Sequence, residues 1–269
     1  MVRWMKMPLS GWFATLSLSF GCGVVKDSPD ASTVGAESGV PCGNGMSDSG
    51  EQCDDGPDNG PGKACTALCK LNVCGDGDRS PTEACDSGTN TGANLGDCAP
   101  DCSKVVDAKR IVVSVGMSAG NLGANPVATA DSFCPAMHRA LFAAGTTRRA
   151  STMPNASVGA VDWVIRPWTQ YRNASDQVIW QTGEVPLLGV QGGAFTALMN
   201  PISVSSGGAF TGLARDWTTL QQNNCSGWTN ATTTFSKNLG IVTSTTVGFI
   251  NNGGTQSCDF TNHFYCVEQ

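Results

Sequence analysis

Histidine, tyrosine and charged side chains are scarce in this sequence. Two histidines and two tyrosines occur among 269 residues, and Asp, Glu, Lys and Arg together make up 14%. Covalent catalysis generally needs a base beside the nucleophile, and neither His138 nor His263 lies in a known catalytic motif. The scarcity of such groups predicts that the protein is not an enzyme. Low charge combined with 33 glycines also predicts many loops and few helices.

Long apolar runs and strongly basic segments are missing as well. The apolar stretch that follows Arg3 and Lys6 is too short and too rich in Ser and Gly to span a bilayer stably. A basic start followed by a short apolar segment is typical of a secretory signal peptide, which we place at residues 1–21. The formal net charge is −6, so a nucleic-acid partner is not expected.

Thirteen cysteines are present, and in an exported chain they favour disulfide bonds over zinc binding. Cys22 stands alone after Gly21, while the other twelve can pair completely. We interpret this site as a lipoprotein processing site at which the Cys22 thiol is acylated; the alternative is that Cys22 is incidental. Acylation predicts a lipid anchor and a location at the outer membrane or cell surface. The small polar residues 22–41 predict a flexible tether.

The chain then contains an internal repeat, at residues 42–73 and 74–104. Each copy begins with Cys-Gly-x-Gly, continues to Glu-x-Cys-Asp and ends with Cys-x3-Cys. Neither copy has enough large apolar residues for a core, so disulfides must offset the chain entropy lost on folding. Four cysteines per copy allow three pairings, and the sequence does not choose among them. The eight residues are Cys42, Cys53, Cys65, Cys69, Cys74, Cys85, Cys98 and Cys102.

The motifs CGNG, GEQCDDG, CGDG and TEACDSG resemble the Myxococcus cysteine-rich repeat, a disulfide module of exported bacterial proteins. The second copy departs from that family at CDSG, where two adjacent acids are usual. The resemblance implies a bacterial protein in which residues 42–102 form a disulfide-stapled spacer with little regular secondary structure.

The remaining part of the chain, from residue 105, predicts an α+β domain. RIVVSVGM predicts a strand, and the short runs VDWVIRP, QVIW, GAFTGL, VGFI and HFYCVEQ also have strand character. DSFCPAMHRALFAAG at 131–145 predicts a helix with Asp131 as its N-cap.

Four cysteines lie in this part. A pairing of Cys134 with Cys266 would close the domain end to end, and a pairing of Cys225 with Cys258 would pin a long loop. The motifs SAGNLGA, DWVIRPWTQY, FTGLARDW, NCSGWT and FYCVEQ resemble the domain of unknown function described from Leptospira surface proteins. That resemblance implies a C-type lectin-like fold for residues 105–269.

Calcium is the one cofactor that the acidic residues suggest. Ca²⁺ prefers six to eight oxygen ligands, and EQCDDGPDNG supplies Asp54, Asp55 and Asp58 on one disulfide-braced loop. The alternative is that these side chains cap turns and keep a module without a core soluble. The sugar-binding motifs of C-type lectins, such as Glu-Pro-Asn, are absent, so the resemblance does not imply calcium-dependent sugar binding.

Trp217 and Trp228 are the residues we select as ligand-binding candidates, because loops on a rigid scaffold commonly carry binding. The alternative for both is core packing. Taken together, these patterns favour an exported bacterial surface lipoprotein with a non-enzymatic binding or adhesion module for a glycan or protein ligand. Two alternatives stay open, a purely structural envelope or coat component and a hydrolase whose site is not recognised.

Overall fold

The computed structural model describes residues 42–269. The predicted signal peptide at 1–21, the tether at 22–41 and the predicted lipidation site Cys22 lie outside the described residues. Within 42–269, every helix is too short or too polar to traverse a bilayer.

The described chain is mostly β-structure with few helices, which supports the predicted α+β class only in part. Its helical segments are α1 (Pro126–Ser132), the single turn α2 (Cys225–Trp228) and two 3-10 turns at Gly56–Asp58 and Val247–Phe249. The strands are β1 (Asp107–Val113), β2 (His138–Ala140), β3 (Thr169–Arg172), β4 (Val178–Gln181), β5 (Val190–Gln191), β6 (Ala194–Phe195), β7 (Gly208–Phe210), β8 (Ser236–Asn238), β9 (Gly240–Ile241), β10 (Thr255–Ser257) and β11 (His263–Glu268).

Seven strands form a curled mixed sheet. Six of them follow the order β4-β3-β1-β11-β7-β9, and β2 joins the sheet beside β11. The pairs β1–β3 and β11–β7 are parallel, and the other pairs are antiparallel. β8 pairs with β10 and β5 with β6 in separate two-stranded sheets. β11 is therefore hydrogen-bonded along both edges, to β1 on one side and to β2 and β7 on the other.

β11 also separates two apolar cores. Successive side chains of a strand point to opposite faces, so Phe264 and Cys266 enter one core while Tyr265 and Val267 enter the other. All four residues are fully buried. A strand that is buried on both faces is a continuous apolar run, which is why HFYCVEQ has a clear strand signal.

The helix predicted at 131–145 is wrong in position. α1 begins five residues earlier, where the Asn125 side chain accepts a hydrogen bond from the backbone N–H of Ala128 at 3.3 Å. Asp131 lies in the last turn of this helix instead of at its N-cap. The capping asparagine and the proline beside it were the start signal that the prediction missed.

The chain cannot continue as a helix after α1 because Pro135 disfavours helical backbone in the residue before it. Met137 takes a left-handed φ of 64°, and residues 138–140 then form β2 instead of a helix. Two other predicted strands are also absent from the described chain. VDWVIRP has no strand, and VGFI contains a 3-10 turn.

The two repeats have little regular structure and are held by nested disulfides. In each copy the first cysteine pairs with the fourth and the second with the third, giving Cys42–Cys69, Cys53–Cys65, Cys74–Cys102 and Cys85–Cys98. The C-terminal part adds Cys134–Cys266 and Cys225–Cys258. Six disulfides indicate an extracytoplasmic protein, because a reducing cytosol does not maintain them.

A buried arginine joins α1 to the rest of the domain. The Arg148 side chain is fully buried, and its two terminal nitrogens donate to both carboxylate oxygens of Asp131 at 2.7 Å. It also donates to Asp162 at 3.1 Å and to the carbonyl of Ala140 at 2.9 Å. Arg139 donates to Asp162 at 2.7 Å. A guanidinium is tolerated without water only when its donors are paired in this way.

This network lowers the pKa of both carboxyl groups. For Asp131, burial acts to raise the pKa, but the hydrogen bond and charge of Arg148 outweigh it. For Asp162, the hydrogen bond from Arg139 is the main cause of the lowered pKa. A carboxyl with a lowered folded-state pKa stabilises the protein above its unfolded-state value of about 4. That stabilisation is lost as the pH falls through the folded-state pKa.

Lys237 is a second fully buried cation. Its Nζ donates to the carbonyl of Phe260 and lies 4.6 Å from the centroid of the Phe210 ring. Burial lowers the pKa of Lys237 to about 8, although the charge of Asp259 acts in the opposite direction. Above that pH the folded state holds a neutral amine where the unfolded chain is still protonated.

We expect Asp131→Asn to lower the free energy of unfolding by about 3 kcal/mol, because it leaves the Arg148 charge buried and incompletely paired. Denaturant unfolding at neutral pH measures this loss. Asp176→Asn is the matched control, since Asp176 is 58% exposed in its ion pairs and such pairs contribute less than about 1 kcal/mol. Similar losses in both variants would contradict the role given to Arg148.

We expect the wild type to gain about 2 kcal/mol of stability relative to Lys237→Met between pH 8 and pH 10, because the unfolded chain binds more protons than the folded protein across this range. Unfolding curves at several pH values give this difference. Lys63→Met, which changes an exposed lysine of the first repeat, should follow the wild type. A pH-independent difference between the wild type and Lys237→Met would disprove the linkage.

Candidate ligand-binding site

The first of the predicted calcium ligands holds a turn. Asp54 accepts hydrogen bonds from the backbone N–H groups of Gly43, Asn44 and Gly56 at 2.7–2.9 Å and from the Asn59 amide at 3.0 Å. Burial acts to raise the pKa of Asp54, but these hydrogen bonds outweigh it and hold the pKa below its ordinary value. The four donors therefore occupy carboxylate oxygens that Ca²⁺ would need.

The same turn recurs in the second repeat. Asp86 accepts from the N–H groups of Gly75 at 2.8 Å and Gly88 at 2.7 Å, and from the Asn90 amide at 3.2 Å. The hydrogen bond from Gly88 is the main cause of the lowered pKa of Asp86. A carboxylate that organises its own loop in both copies matches the turn-capping alternative.

The acids Asp54, Asp55 and Asp58 do not converge on one point. Within residues 42–269, two groups bring three candidate ligand atoms within 4.8 Å of one another, and neither contains these acids. The groups are Cys42, Glu51 and Cys69, and Glu83, Asp86 and Cys102. Their cysteines are oxidised to disulfides and supply no thiolate. The arrangement favours turn capping over calcium binding at Asp54, whereas the Asp55 and Asp58 side chains are exposed and take part in neither group.

Trp217 and Trp228 lie in the two cores. Trp217 is fully buried, and its ring centroid is 6.0 Å from that of Trp163 and 5.8 Å from that of Phe249. Trp228 is 2% exposed and packs edge-on against Phe142 at 5.1 Å, and it also lines a cleft of about 360 Å³. Core packing is thus seen for both side chains, while ligand binding by either stays a prediction.

A GxSxG spacing occurs as GMSAG at 116–120, and the prediction of a non-enzyme did not take it into account. In serine hydrolases this motif turns a strand directly into a helix and presents the serine to a histidine. Here the Ser118 hydroxyl donates to the carbonyl of Ala119 at 3.1 Å, and Nδ1 of His263 lies 2.7 Å from the carbonyl oxygen of Ser114. Within 42–269 no serine hydroxyl is hydrogen-bonded to a histidine.

A cleft lies where the second repeat meets the C-terminal domain. Its volume is about 380 Å³, within the range of small-molecule sites. Gly92 and Ala93 of the repeat form one wall. Trp168, Trp180 and Glu184 line the side that belongs to the domain. Both parts of the chain are therefore needed to complete this cleft.

Trp168 packs the second repeat against the domain. Its φ of 48° lies in the left-handed region, which bulky residues rarely adopt. The indole lies between Gly92 and Gly183, because a Cβ at Gly92 would be 2.8 Å from Cε3 and one at Gly183 would be 3.8 Å from Cζ3. The Gln181 amide donates to the Gly92 carbonyl. Strained backbone persists where its surroundings hold it, and here the two glycines and this hydrogen bond hold Trp168 in place.

Further contacts continue across the boundary at residue 104. Lys104 Nζ donates to Asp107 at 2.6 Å and to the Thr169 hydroxyl at 3.0 Å. The backbone N–H of Val106 donates to the carbonyl of Asp97 at 2.8 Å. The repeat is thus joined to the sheet through side chains and backbone together, without an intervening linker.

The chemistry of the cleft is set by two indoles and few polar groups. Trp168 and Trp180 are half-buried, and Glu184 is exposed. Glu184 is the one charged residue among those that line the cleft. The buried indole N–H of Trp180 has no hydrogen-bond partner among the described residues.

Sequence reasoning did not select Trp168, Trp180 or Glu184. Both tryptophans occur in motifs that were recognised, DWVIRPWTQY and QVIW, but their proximity depends on the antiparallel pairing of β3 with β4. A prediction that those two runs pair as a hairpin would have placed the two tryptophans close together. The contribution of Gly92 follows from a contact between distant segments, for which the sequence holds no comparable signal.

Comparison with known families finds a match within the C-terminal part of the chain. The model of a family described as "Protein of unknown function (DUF1554)" matches residues 113–246, so this part of the chain is a domain of that family. The match confirms the resemblance to a domain of unknown function. No curated protein matches the chain. Trp168, Trp180 and Glu184 lie within the matched range, whereas Gly92 and Ala93 precede it.

We expect Gly92→Ala to destabilise the protein by about 2 kcal/mol more than Gly96→Ala, because only the first substitution forces a methyl group against the Trp168 ring. Both glycines have positive φ, so both variants carry the cost of a left-handed alanine, but nothing lies within 4 Å of a Cβ at Gly96. Denaturant unfolding compares the two variants. Equal losses would show that Trp168 does not pack on the repeat.

Proposed function

We propose that this protein is an extracytoplasmic surface lipoprotein whose C-terminal domain is a non-enzymatic binding module for a glycan or protein ligand. The observation that carries the proposal is the cleft lined by Trp168, Trp180 and Glu184 and closed by Gly92 of the second repeat. Binding sites typically combine aromatic surface with a few placed polar groups on a rigid frame, and this cleft has all three properties.

Rigidity supports binding because a preformed site loses little conformational entropy when a ligand enters. The Cys85–Cys98 disulfide braces the repeat, and the backbone N–H of Gly92 donates to the carbonyl of Cys98 at 3.0 Å. The wall of the cleft is thus tied to a covalent cross-link. Partial exposure of both tryptophans leaves apolar surface that a ligand would cover.

The two repeats have different roles in this proposal. The first is a spacer between the lipid anchor at Cys22 and the binding module, and it keeps the module away from the membrane. The second belongs to the module itself, because it supplies Gly92 and Ala93 to the cleft. The partners in this scheme are the membrane, through the lipid, and an external ligand.

We further infer a C-type lectin-like fold for residues 105–269. The pairing of the terminal strands β1 and β11 supports it, as do a disulfide that reaches β11 from a position near α1 and a second disulfide within the long loop region. The short strands between extended loops are also in keeping with it. This inference carries no calcium-dependent chemistry with it, since Val185 separates Glu184 from Pro186 and the usual sugar motif is missing.

A glycan and matrix-protein array probed with the purified protein tests the proposal. We expect discrete ligands for the wild type and about ten-fold weaker binding by Trp180→Leu, since a central aromatic residue commonly dominates a binding site. Phe235→Leu is the matched control, because Phe235 is an exposed aromatic residue that does not line the cleft. Silence across the array, or equal losses in both variants, would contradict the proposal and favour a structural envelope component.

A further inference from the structure

We propose that the cleft beside the second repeat binds an alkylammonium group, of the kind carried by lysine or choline. This inference rests on the proposed function, because it names the chemistry of the ligand at the same site. The observation behind it is that two indoles and one carboxylate line a single cleft in which no lysine or arginine takes part.

The indoles favour a cation. The face of an aromatic ring carries negative potential, tryptophan binds cations more strongly than the other aromatic residues, and the attraction grows when water is excluded. Trp168 and Trp180 both line the cleft, and both are half-buried. An alkylammonium ion in the cleft would be attracted to the exposed part of these rings and would cover apolar surface with its methylene or methyl groups.

The charges around the rings also favour a cation. Glu184 is the one charged residue that lines the cleft. An anionic ligand would instead face this carboxylate without a compensating base.

The rest of the cleft suits the remainder of such a ligand. Val185, Val190 and Met199 line it with aliphatic surface. The methyl groups of choline and the methylene chain of a lysine can both pack on such a surface.

Titration calorimetry of the purified protein with two probes tests this inference. The probes are choline and a lysine blocked at both backbone ends. The uncharged isostere of choline, in which carbon replaces nitrogen, is the ligand control. We expect at least one probe to bind and the isostere to bind about ten-fold more weakly, because only the cation gains from the rings and the Glu184 carboxylate. The stronger probe then identifies a quaternary or a primary ammonium as the preferred ligand.

Two variants connect the binding to the cleft. We expect Glu184→Gln to weaken the cation about three-fold, as is usual for an exposed charge, and Trp180→Phe to weaken it while keeping an aromatic ring in place. Asp58→Asn is the control, because it removes an exposed negative charge in the first repeat, away from the cleft. Equal binding by the wild type and Glu184→Gln, or equal binding of choline and its isostere, would overturn the inference.

The outcome is separable from that of the proposed function. An array ligand that is lost in Trp180→Leu but is not displaced by either cation would overturn this inference alone and leave the binding function in place. An array ligand that the cations displace supports both. Silence of the array and of both probes would overturn both.

Discussion

The C-terminal domain depends on the pairing of one buried guanidinium with two carboxylates. Arg148 contacts Asp131 at the end of α1, Asp162 in a distant loop and the carbonyl of Ala140 in β2. Asp131 in turn accepts the backbone N–H of Ala140 at 2.8 Å. Because β2 pairs with β11, and β11 lies between the two cores, the ionic network sets the position of a strand to which both cores are attached. Strands of two to seven residues form few hydrogen bonds with their neighbours, so cross-links of this kind do much to determine how the strands are arranged.

The cleft also depends on contacts between distant segments, which here lie outside the cores. The second repeat has no apolar core, yet its disulfides give it a defined shape. Trp168 packs against the repeat at Gly92 and so fixes its position beside the sheet. The left-handed backbone of Trp168 is unfavourable by itself and is maintained by packing between two glycines. A module that the sequence predicts to be a spacer thereby becomes a part of a candidate site. The matched family domain on its own would lack the wall formed by Gly92 and Ala93.

The accuracy of the sequence predictions follows the range of the interactions involved. Disulfide-rich repeats and the strand of HFYCVEQ were predictable because cysteine spacing and a continuous apolar run are local signals. The helix was predicted at 131–145 because the apolar spacing there was given more weight than two local signals, the break at Pro135 and the cap at Asn125. The burial of Arg148 and Lys237 could not be predicted, since charged residues are normally exposed and their partners come from distant segments. The tryptophans of the cleft were overlooked for the same reason, while the two that were selected belong to the cores.

The central position of β11 has a consequence for the order in which the protein matures. A chain that enters an oxidising compartment from its N-terminus presents the repeat cysteines first, and these pair over separations of 12 to 28 residues. Cys134 must wait for Cys266, 132 residues later, and the sheet lacks its middle strand until then. Each repeat can therefore close as it emerges, whereas the C-terminal domain holds unpaired thiols through most of its export.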